Sequence, residues 1–356
     1  MKIAIIGAGL SGLACAIELK RKGITPTVFE RKGYCGQGFN CPVINLRIFN
    51  RTFRSPVKYF KQKYNLKLIP WASLHKQTVI GSKKQFISKG NLGYLYRKGE
   101  DKLSLENQLA AYINFPIAFD RYVSIEDIKG LFDFIVVATG DCRIAKSFNN
   151  IWTGTFNCFT RVATVLGNFE TNSVKVWINT EYAKNCSCFL VAVSKEQGYI
   201  VMTVNNIAFN ELEHYWKIFL QKEGINAQIV EISDHEQNIG YTTPVQFENI
   251  YFAGNPAGMV DDLFGFGAFN SIESGILTAR AIAESSSYSE LLLPIRNDVK
   301  VLHEYRKAFN VFENKDFDRL LSLISLPLVK QFIYNNPLYK AKTAAFLASI
   351  YNKLPL

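Results

Sequence analysis

Hydrophobic residues in this chain fall in short continuous runs, and three of the runs end on glycine. Lys2-Ile3-Ala4-Ile5-Ile6 leads into Gly7-x-Gly9-x-x-Gly12, Phe132 to Val137 leads into Ala138-Thr139-Gly140, and Asn249 to Ala253 leads into Gly254-Asn255-Pro256-Ala257-Gly258. Apolar runs of this length without polar alternation predict strands buried on both faces, as in a parallel sheet covered by helices. Thr27-Val28-Phe29 predicts a further short strand. Helical spacing predicts helices over 10–22, 104–113, 211–222 and 268–284. Ser104 caps the second of these, and Leu105, Leu109, Ala110 and Ile113 share its apolar face. Residues 43–66 also read as helical, with Val57, Tyr59 and Phe60 among the apolar positions.

Between residues 151 and 205 the pattern changes. Stretches near 151–161, 174–180, 186–193 and 197–205 are β-branched or aromatic and separated by Gly, Asn and Ser, which predicts an antiparallel sheet. Thr78 to Ile87 alternates and carries lysines, as an exposed strand does. The expected fold class is α/β: a three-layer Rossmann-like domain, an inserted and mainly antiparallel β-sheet substrate domain, and a C-terminal helical segment. The boundaries expected are 1–75, 97–145 and 235–285 for the first, 76–96 and 146–234 for the second, and 286–356 for the helical region. In that last region Leu320, Leu321, Ile324, Leu328, Phe332 and Ile333 form an apolar stripe broken by Pro327, and 338–353 reads as a further helix mixing Ala, Phe and Ile with lysines. Two readings stand open: a helical cap on the substrate domain, or a peripheral membrane contact with the lysines facing anionic lipid.

With 356 residues, 48% of them hydrophobic, the chain can bury a sizeable core. The net charge of +11 comes from basic residues spread along the sequence, including Lys20-Arg21-Lys22, Lys58 to Lys67, Lys83-Lys84 and Lys340 to Lys342. No nucleic-acid module contains them, so no nucleic-acid partner is expected. No apolar run is long enough to span a bilayer, and the N-terminus lacks the pattern of a signal peptide. The expected location is therefore the cytoplasm. Seven cysteines without a CxxC pair predict reduced thiols. Cys186 and Cys188 share one strand face as packed groups, and His75, His214, His235 and His303 are too scattered to hold a metal.

The first glycine turn carries the clearest chemistry. Gly7 allows a tight turn, Gly9 lets backbone approach a pyrophosphate, and Gly12 lets helix and strand pack closely. Leu10 and Ser11 open the helix whose N-terminal amides point at that pyrophosphate. Glu30, eighteen residues after Gly12, ends the next strand and can accept both hydroxyls of an adenosine ribose. Ala138, Thr139 and Gly140 would let the ligand lie against backbone. The third run, more than two hundred residues later, supplies amide donors and small residues for the ligand's other end through Gly254, Asn255, Gly258, Met259, Gly265 and Gly267.

In their order and spacing the three segments resemble the geranylgeranyl reductase branch of the flavoproteins related to p-hydroxybenzoate hydroxylase. The likeness spans the dinucleotide domain, about half the chain. It implies FAD, with its pyrophosphate at Gly7 to Gly12 and its flavin beside Phe252 to Gly267. Arg31, Gly38 and Arg97 join the cofactor-binding set, and Gln108, in the helix beyond Arg97, is a further candidate contact; the alternative is a solvated Arg97 and a helix-surface Gln108. Cys35, in Cys35-Gly36-Gln37-Gly38, resembles the family's loop cysteine near the reactive end of the flavin and is the candidate catalytic residue; its alternative is a small buried hydrophobe. With no second GxGxxG in the chain, NAD(P)H or another electron donor, a donor protein included, would bind transiently. The implied activity is reduction of carbon–carbon double bonds in an apolar or lipid-like small molecule. A monooxygenase or halogenase of the same superfamily is one alternative, although the paired-tryptophan signature of halogenases is absent and Trp71 and Trp152 stand alone. A non-catalytic prenyl- or lipid-binding protein is the other. The sequence departs from the family at Asn255, where an aspartate is usual. A neutral acceptor there predicts looser FAD, with a hydrogen bond of about 1.5–3 kcal/mol falling to near 1. The aromatic and proline motif of prenyl reductases is also missing around Cys188 to Val193.

Overall fold

The structure, a computed structural model, describes residues 1–48 and 55–335, the side chains of 332–335 excepted. The chain divides into two compact units, the first comprising Met1–Val43, Arg97–Asn157 and Gln237–Lys300. Its six-stranded sheet has the order Gln246–Phe247, Ile250–Phe252, Phe134–Val137, Ile3–Ile6, Thr27–Phe29, Ile117–Ala118. All neighbours are parallel except the first pair. The uninterrupted burial of Ile3–Ile6 and of Ile135, Val136 and Val137 is what a covered parallel sheet requires.

The Leu10–Arg21 helix is buried over nearly its whole length and packs against the Ala268–Glu284 helix. Backbone comes very close here, since a Cβ on Gly275 would lie 2.0 Å from the Ser11 carbonyl oxygen. Further along, the buried Glu18 carboxylate accepts from Arg280 Nε at 2.7 Å and from Arg21 at 3.4 Å, so the charge in this seam is paired. Tyr288 locks the same layer to the sheet by donating to the Phe252 carbonyl at 2.7 Å while accepting from Thr278 Oγ1 at 2.8 Å.

The second unit comprises Ile44–Tyr96, Cys158–Glu236 and Val301–Leu356. It is built on an eight-stranded sheet ordered Gln228–Thr242, Trp152–Leu166, Gln197–Asn205, Cys188–Ala192, Ser173–Trp177, Ala72–Ile80, Gln85–Lys98, Cys41–Leu46. The sheet is mainly antiparallel, but Ala72–Ile80 pairs in parallel with Ser173–Trp177. The Leu212–Lys222 helix covers it through Leu212, Trp216 and Phe219, which join Trp177, Tyr182 and Met202 in one core. Arg161 stitches sheet and helix together. Its Nε and Nη2 donate to Asp234 at 2.7 and 2.8 Å, its Nη1 pairs with Glu213, and its guanidinium lies 5.7 Å from the Trp216 ring centre.

The expected helix over 43–66 is only partly present. Cys41–Leu46 is a strand whose last three residues, Ile44, Asn45 and Leu46, are all buried, and the helix begins at Pro56 behind a Ser55 cap. A Ser-Pro start signal outweighs weak helical periodicity upstream of it. Residues 44–75 accordingly group with the second unit, whereas 286–300 group with the first and 301–335 with the second. The exposed strand over 78–87 resolves into two strands turning at residues 81–84. That turn is fixed by Asp318, which accepts from Ser82 Oγ and from the backbone N–H groups of Lys83 and Lys84 at 2.7–3.1 Å. Leu321 packs with Val79 and Phe86, so the Asn314–Ser325 helix lies on this sheet. Leu326 and Leu328, at the start of the next helix, are exposed. The helix expected over 338–353 lies outside the described residues, and among those described no helix is long and apolar enough to cross a membrane.

Candidate functional site

Three glycine turns leave the C-terminal ends of three adjacent parallel strands, Ile3–Ile6, Phe134–Val137 and Ile250–Phe252. In an open α/β sheet this edge is where ligands bind. The turns also touch one another. A Cβ on Gly7 (φ +106°) would sit 2.5 Å from the Ala138 carbonyl oxygen, and one on Gly254 would sit 2.7 Å from Ser11 Oγ. Thus the first motif packs on the second through Gly7 and on the third through Ser11.

Within the first turn the glycines have different roles. Gly12 is sealed, because a Cβ there would lie 1.9 Å from the Gly7 carbonyl oxygen. Gly9 faces open space: its chain neighbours apart, no atom of the described residues lies within 4 Å of a Cβ built on it. It is the N-cap of the Leu10–Arg21 helix, which has no side-chain cap and no acidic residue in its first turn. Uncapped N–H groups beside an open backbone position suit an anion such as a pyrophosphate. Glu30 stands at the end of the next strand, where its carboxylate accepts from Ala8 N–H at 2.8 Å and Lys32 N–H at 3.0 Å. A carboxylate has about four acceptor positions, so these two amides orient it and leave lone pairs for a diol. Arg31 pairs with Asp141 at 3.6 Å, and Asp141 also takes Arg143 at 2.6 Å. Burial raises the Asp141 pKa, and Arg31 opposes that rise.

Asn255 sits at the third turn. Its Nδ2 donates to the Gly140 carbonyl at 3.1 Å and to the Asn238 carbonyl at 3.2 Å. Its Oδ1 is buried and has no hydrogen-bond partner among the described residues. A buried acceptor left over in this way costs about 1–3 kcal/mol, and a hydroxyl-bearing ligand would relieve it. Met259 is fully buried, with its N–H on the Gly254 carbonyl at 3.2 Å and its own carbonyl accepting from Asn270 Nδ2 at 3.1 Å. Gly258 returns the chain in a left-handed conformation against Tyr241, and Gly267 is the N-cap of the Ala268–Glu284 helix, which also lacks a side-chain cap. Between them Asp261 organises the loop. It accepts from the N–H groups of Leu263, Phe264 and Phe266 at 2.7–3.1 Å, and Gly265 N–H reaches its carbonyl. Burial pushes the Asp261 carboxyl up to about 7, with Asp262 adding to the rise and the three amides opposing it.

Cys35 lies in a loop tied down on several sides. Lys32 Nζ donates to the Gln37 carbonyl at 2.7 Å, Gly33 N–H donates to Gln37 Oε1 at 2.9 Å, and Gly38 N–H donates to Glu100 at 3.2 Å. Gly36 packs on the Gly99 carbonyl and on Glu106, itself buried and paired with Lys98 at 3.5 Å. The Cys35 thiol is buried and its pKa is pushed up to about 11, chiefly by burial and then by Glu30 and Glu106. It is a protonated thiol at neutral pH, not a thiolate nucleophile. Arg97 pairs with Asp101, and Gln108 donates to the Leu103 carbonyl at 2.8 Å. One contributor, Asn238, carried no signal in the sequence, since it acts through its backbone carbonyl; Gly140, named from the sequence, also acts through its carbonyl. Asp261 did carry one, because an Asp three residues ahead of Phe264 in a glycine-rich loop can form an Asx turn.

Residues 5–68 match the NAD(P)-binding Rossmann-like domain family, a stretch holding the first glycine turn and Glu30. No curated protein matches the chain in sequence. Among solved structures, a geranylgeranyl bacteriochlorophyll reductase-like protein from Thermoplasma acidophilum aligns over 97% of this chain and 98% of its own, at 12% identity and a TM-score of 0.72. The flavin-dependent brominase Bmp2 aligns over the full length of both chains at 12% identity and a TM-score of 0.68. A flavoprotein/dehydrogenase from Cytophaga hutchinsonii covers 99% of this chain and 100% of its own, at 13% identity and a TM-score of 0.64. The Rossmann-like fold expected from the sequence is therefore the fold found, shared with a bacteriochlorophyll reductase-like protein, a flavin-dependent brominase and a flavoprotein/dehydrogenase.

Proposed function

We propose that this chain is an FAD-dependent oxidoreductase that reduces carbon–carbon double bonds of an apolar or lipid-like small molecule, with NAD(P)H or another donor supplying electrons. One observation carries the reading. Three glycine turns converge at the C-terminal edge of one parallel sheet, open at Gly9 at one end and carrying the buried Asn255 acceptor at the other. An elongated ligand with a pyrophosphate and a polyol chain matches those features. The amides beside Gly9 and the N-terminus of the Leu10–Arg21 helix would hold the pyrophosphate. Glu30 would hold the ribose, and Asn255 Oδ1 would accept from the ribityl chain.

When bound, FAD supplies hydride transfer to and from carbon, which no side chain can perform. The chain's own part is to bind, orient and hold protons. The amide-bound Asp261 keeps the Met259 to Gly267 loop in one conformation, and the un-ionised Cys35 thiol retains a proton at neutral pH. The likeness to a brominase favours a second reading, an oxygen-consuming halogenase or monooxygenase. The reading as a reductase carries with it a cytoplasmic location and an apolar substrate, and a donor protein or membrane surface as its contacts.

Anaerobic turnover distinguishes the readings. Protein loaded with FAD and reduced should re-oxidise on adding an alkene-bearing isoprenoid, with one saturated product formed per flavin. Re-oxidation by oxygen alone, with halide or hydroxyl incorporation into substrate, would replace the reductase reading with the second. A colourless protein that takes up no added FAD would favour a non-catalytic lipid binder.

A further inference from the structure

Asn255 departs from the aspartate usual in flavoproteins of this kind, and the structure supplies a reason of its own. The carboxamide nitrogen stands 3.1 Å from the Gly140 carbonyl, just past the Phe134–Val137 strand, and 3.2 Å from the Asn238 carbonyl in the Gln228–Thr242 strand. Only a donor satisfies two carbonyl oxygens, so the orientation of the side chain is fixed and its oxygen is set on the opposite side. That oxygen is the buried acceptor without a partner among the described residues. The residue also opens the short helical turn Asn255–Ala257, where Gly258 N–H donates to the Asn255 carbonyl at 2.9 Å. Movement of the side chain would therefore carry the third glycine turn with it.

We propose that Asn255 is a positioning residue, a bolt that sets the third glycine turn before any ligand arrives and from which aspartate is excluded. A carboxylate here would face two carbonyl oxygens with no hydrogen to offer and would add a negative charge between them. The substitution is thus not a weakened copy of the aspartate, and restoring the acid would harm the site. Part of this inference, the role of the buried carboxamide oxygen, rests on the FAD reading above; the bolt itself does not.

Two variants separate these points, Asn255→Asp and Asn255→Ala, with thermal unfolding of the FAD-free protein at pH 5 and pH 8 and titration with FAD followed by flavin fluorescence. Next to two carbonyl oxygens the carboxyl introduced by Asn255→Asp would have a pKa raised above its unfolded value, so its neutral form could lend one hydrogen. Any stabilisation from that form is present at low pH and is lost as pH rises through the folded pKa. Relative to wild type, N255D should therefore melt about 2–5 °C lower at pH 8 and recover most of that loss at pH 5. N255A should lose a similar amount at both pH values. FAD should bind N255D at least tenfold more weakly than wild type. An N255D melting point equal to wild type at both pH values, or FAD bound more tightly by N255D, would overturn the proposal. If wild type itself takes up no FAD, the flavin reading falls, while the pH-dependent melting of N255D still decides whether the bolt exists.

Discussion

Gly9 and Gly12 stand three residues apart in one turn, yet adding a single methyl to each should have opposite consequences. At Gly12 the Cβ would be 1.9 Å from the Gly7 carbonyl oxygen and 3.0 Å from its carbon. The obstacle is backbone, with no flexible end to yield, so the cost should exceed the usual 1–3 kcal/mol of overpacking and reach about 3 kcal/mol or more. At Gly9, its chain neighbours apart, no atom of the described residues lies within 4 Å of the added carbon, and φ −85°, ψ −168° is extended backbone open to any residue. Gly9→Ala should therefore change the stability of the FAD-free protein by no more than about 1 kcal/mol, the scale of an N-cap change. The methyl would instead occupy the space the pyrophosphate needs. Charge-assisted hydrogen bonds are worth about 1.5–3 kcal/mol each, and losing one or two of them, about 3 kcal/mol, raises the Kd for FAD roughly a hundredfold. Melting of the FAD-free variants and fluorescence titration with FAD read the two effects separately. Gly9→Ala protein that is stable and binds FAD as wild type does would refute the assignment of this turn.

Three other outcomes follow from the same geometry. The Cys35 thiol, pushed up to about 11, should alkylate slowly at pH 7 and accelerate steadily toward pH 10 in peptide-resolved mass spectrometry; a rate already at plateau by pH 8 would contradict its protonated state. Arg161→Met should cost about 2–4 kcal/mol in urea unfolding because it strands Asp234, whereas Glu213→Gln should cost under about 1 kcal/mol since Glu213 is half exposed. Asp261 binds its proton more tightly folded than unfolded, so its contribution is complete below pH 4 and is lost as pH rises through about 7. The melting point of wild type relative to Asp261→Asn should accordingly fall between pH 4 and pH 7, and a difference that stays flat across that range would show the carboxyl to be ionised throughout.

What could be read from the chain follows from which interactions leave a mark in residue type. The strand ahead of Gly7 was legible as an unbroken apolar run ending on a glycine turn, and the Ala268–Glu284 helix because helical spacing repeats over 17 residues. The first and third glycine turns were expected to serve the two ends of one ligand, but the close approach of Gly7 to the Ala138 carbonyl and of Gly254 to the Ser11 hydroxyl is a property of tertiary packing. Residues 43–46 read as helix but belong to the Cys41–Leu46 strand, which is too short for its pattern to overrule the apolar positions after it. The parallel pairing of Ala72–Ile80 with Ser173–Trp177 joins segments about a hundred residues apart, which no local pattern encodes. Asn255 was visible as a departure, but its two partners are carbonyl groups, identical in every residue, and so its reason was not.

The account stands or falls on whether one FAD molecule occupies the edge formed by those turns. The direct measurement is the visible absorption of purified protein, before and after adding FAD and removing the excess by gel filtration. The account predicts the two bands of oxidised flavin at one FAD per chain, and their loss in Gly9→Ala protein that remains folded. A colourless protein that stays colourless after incubation, with folding intact, would contradict it.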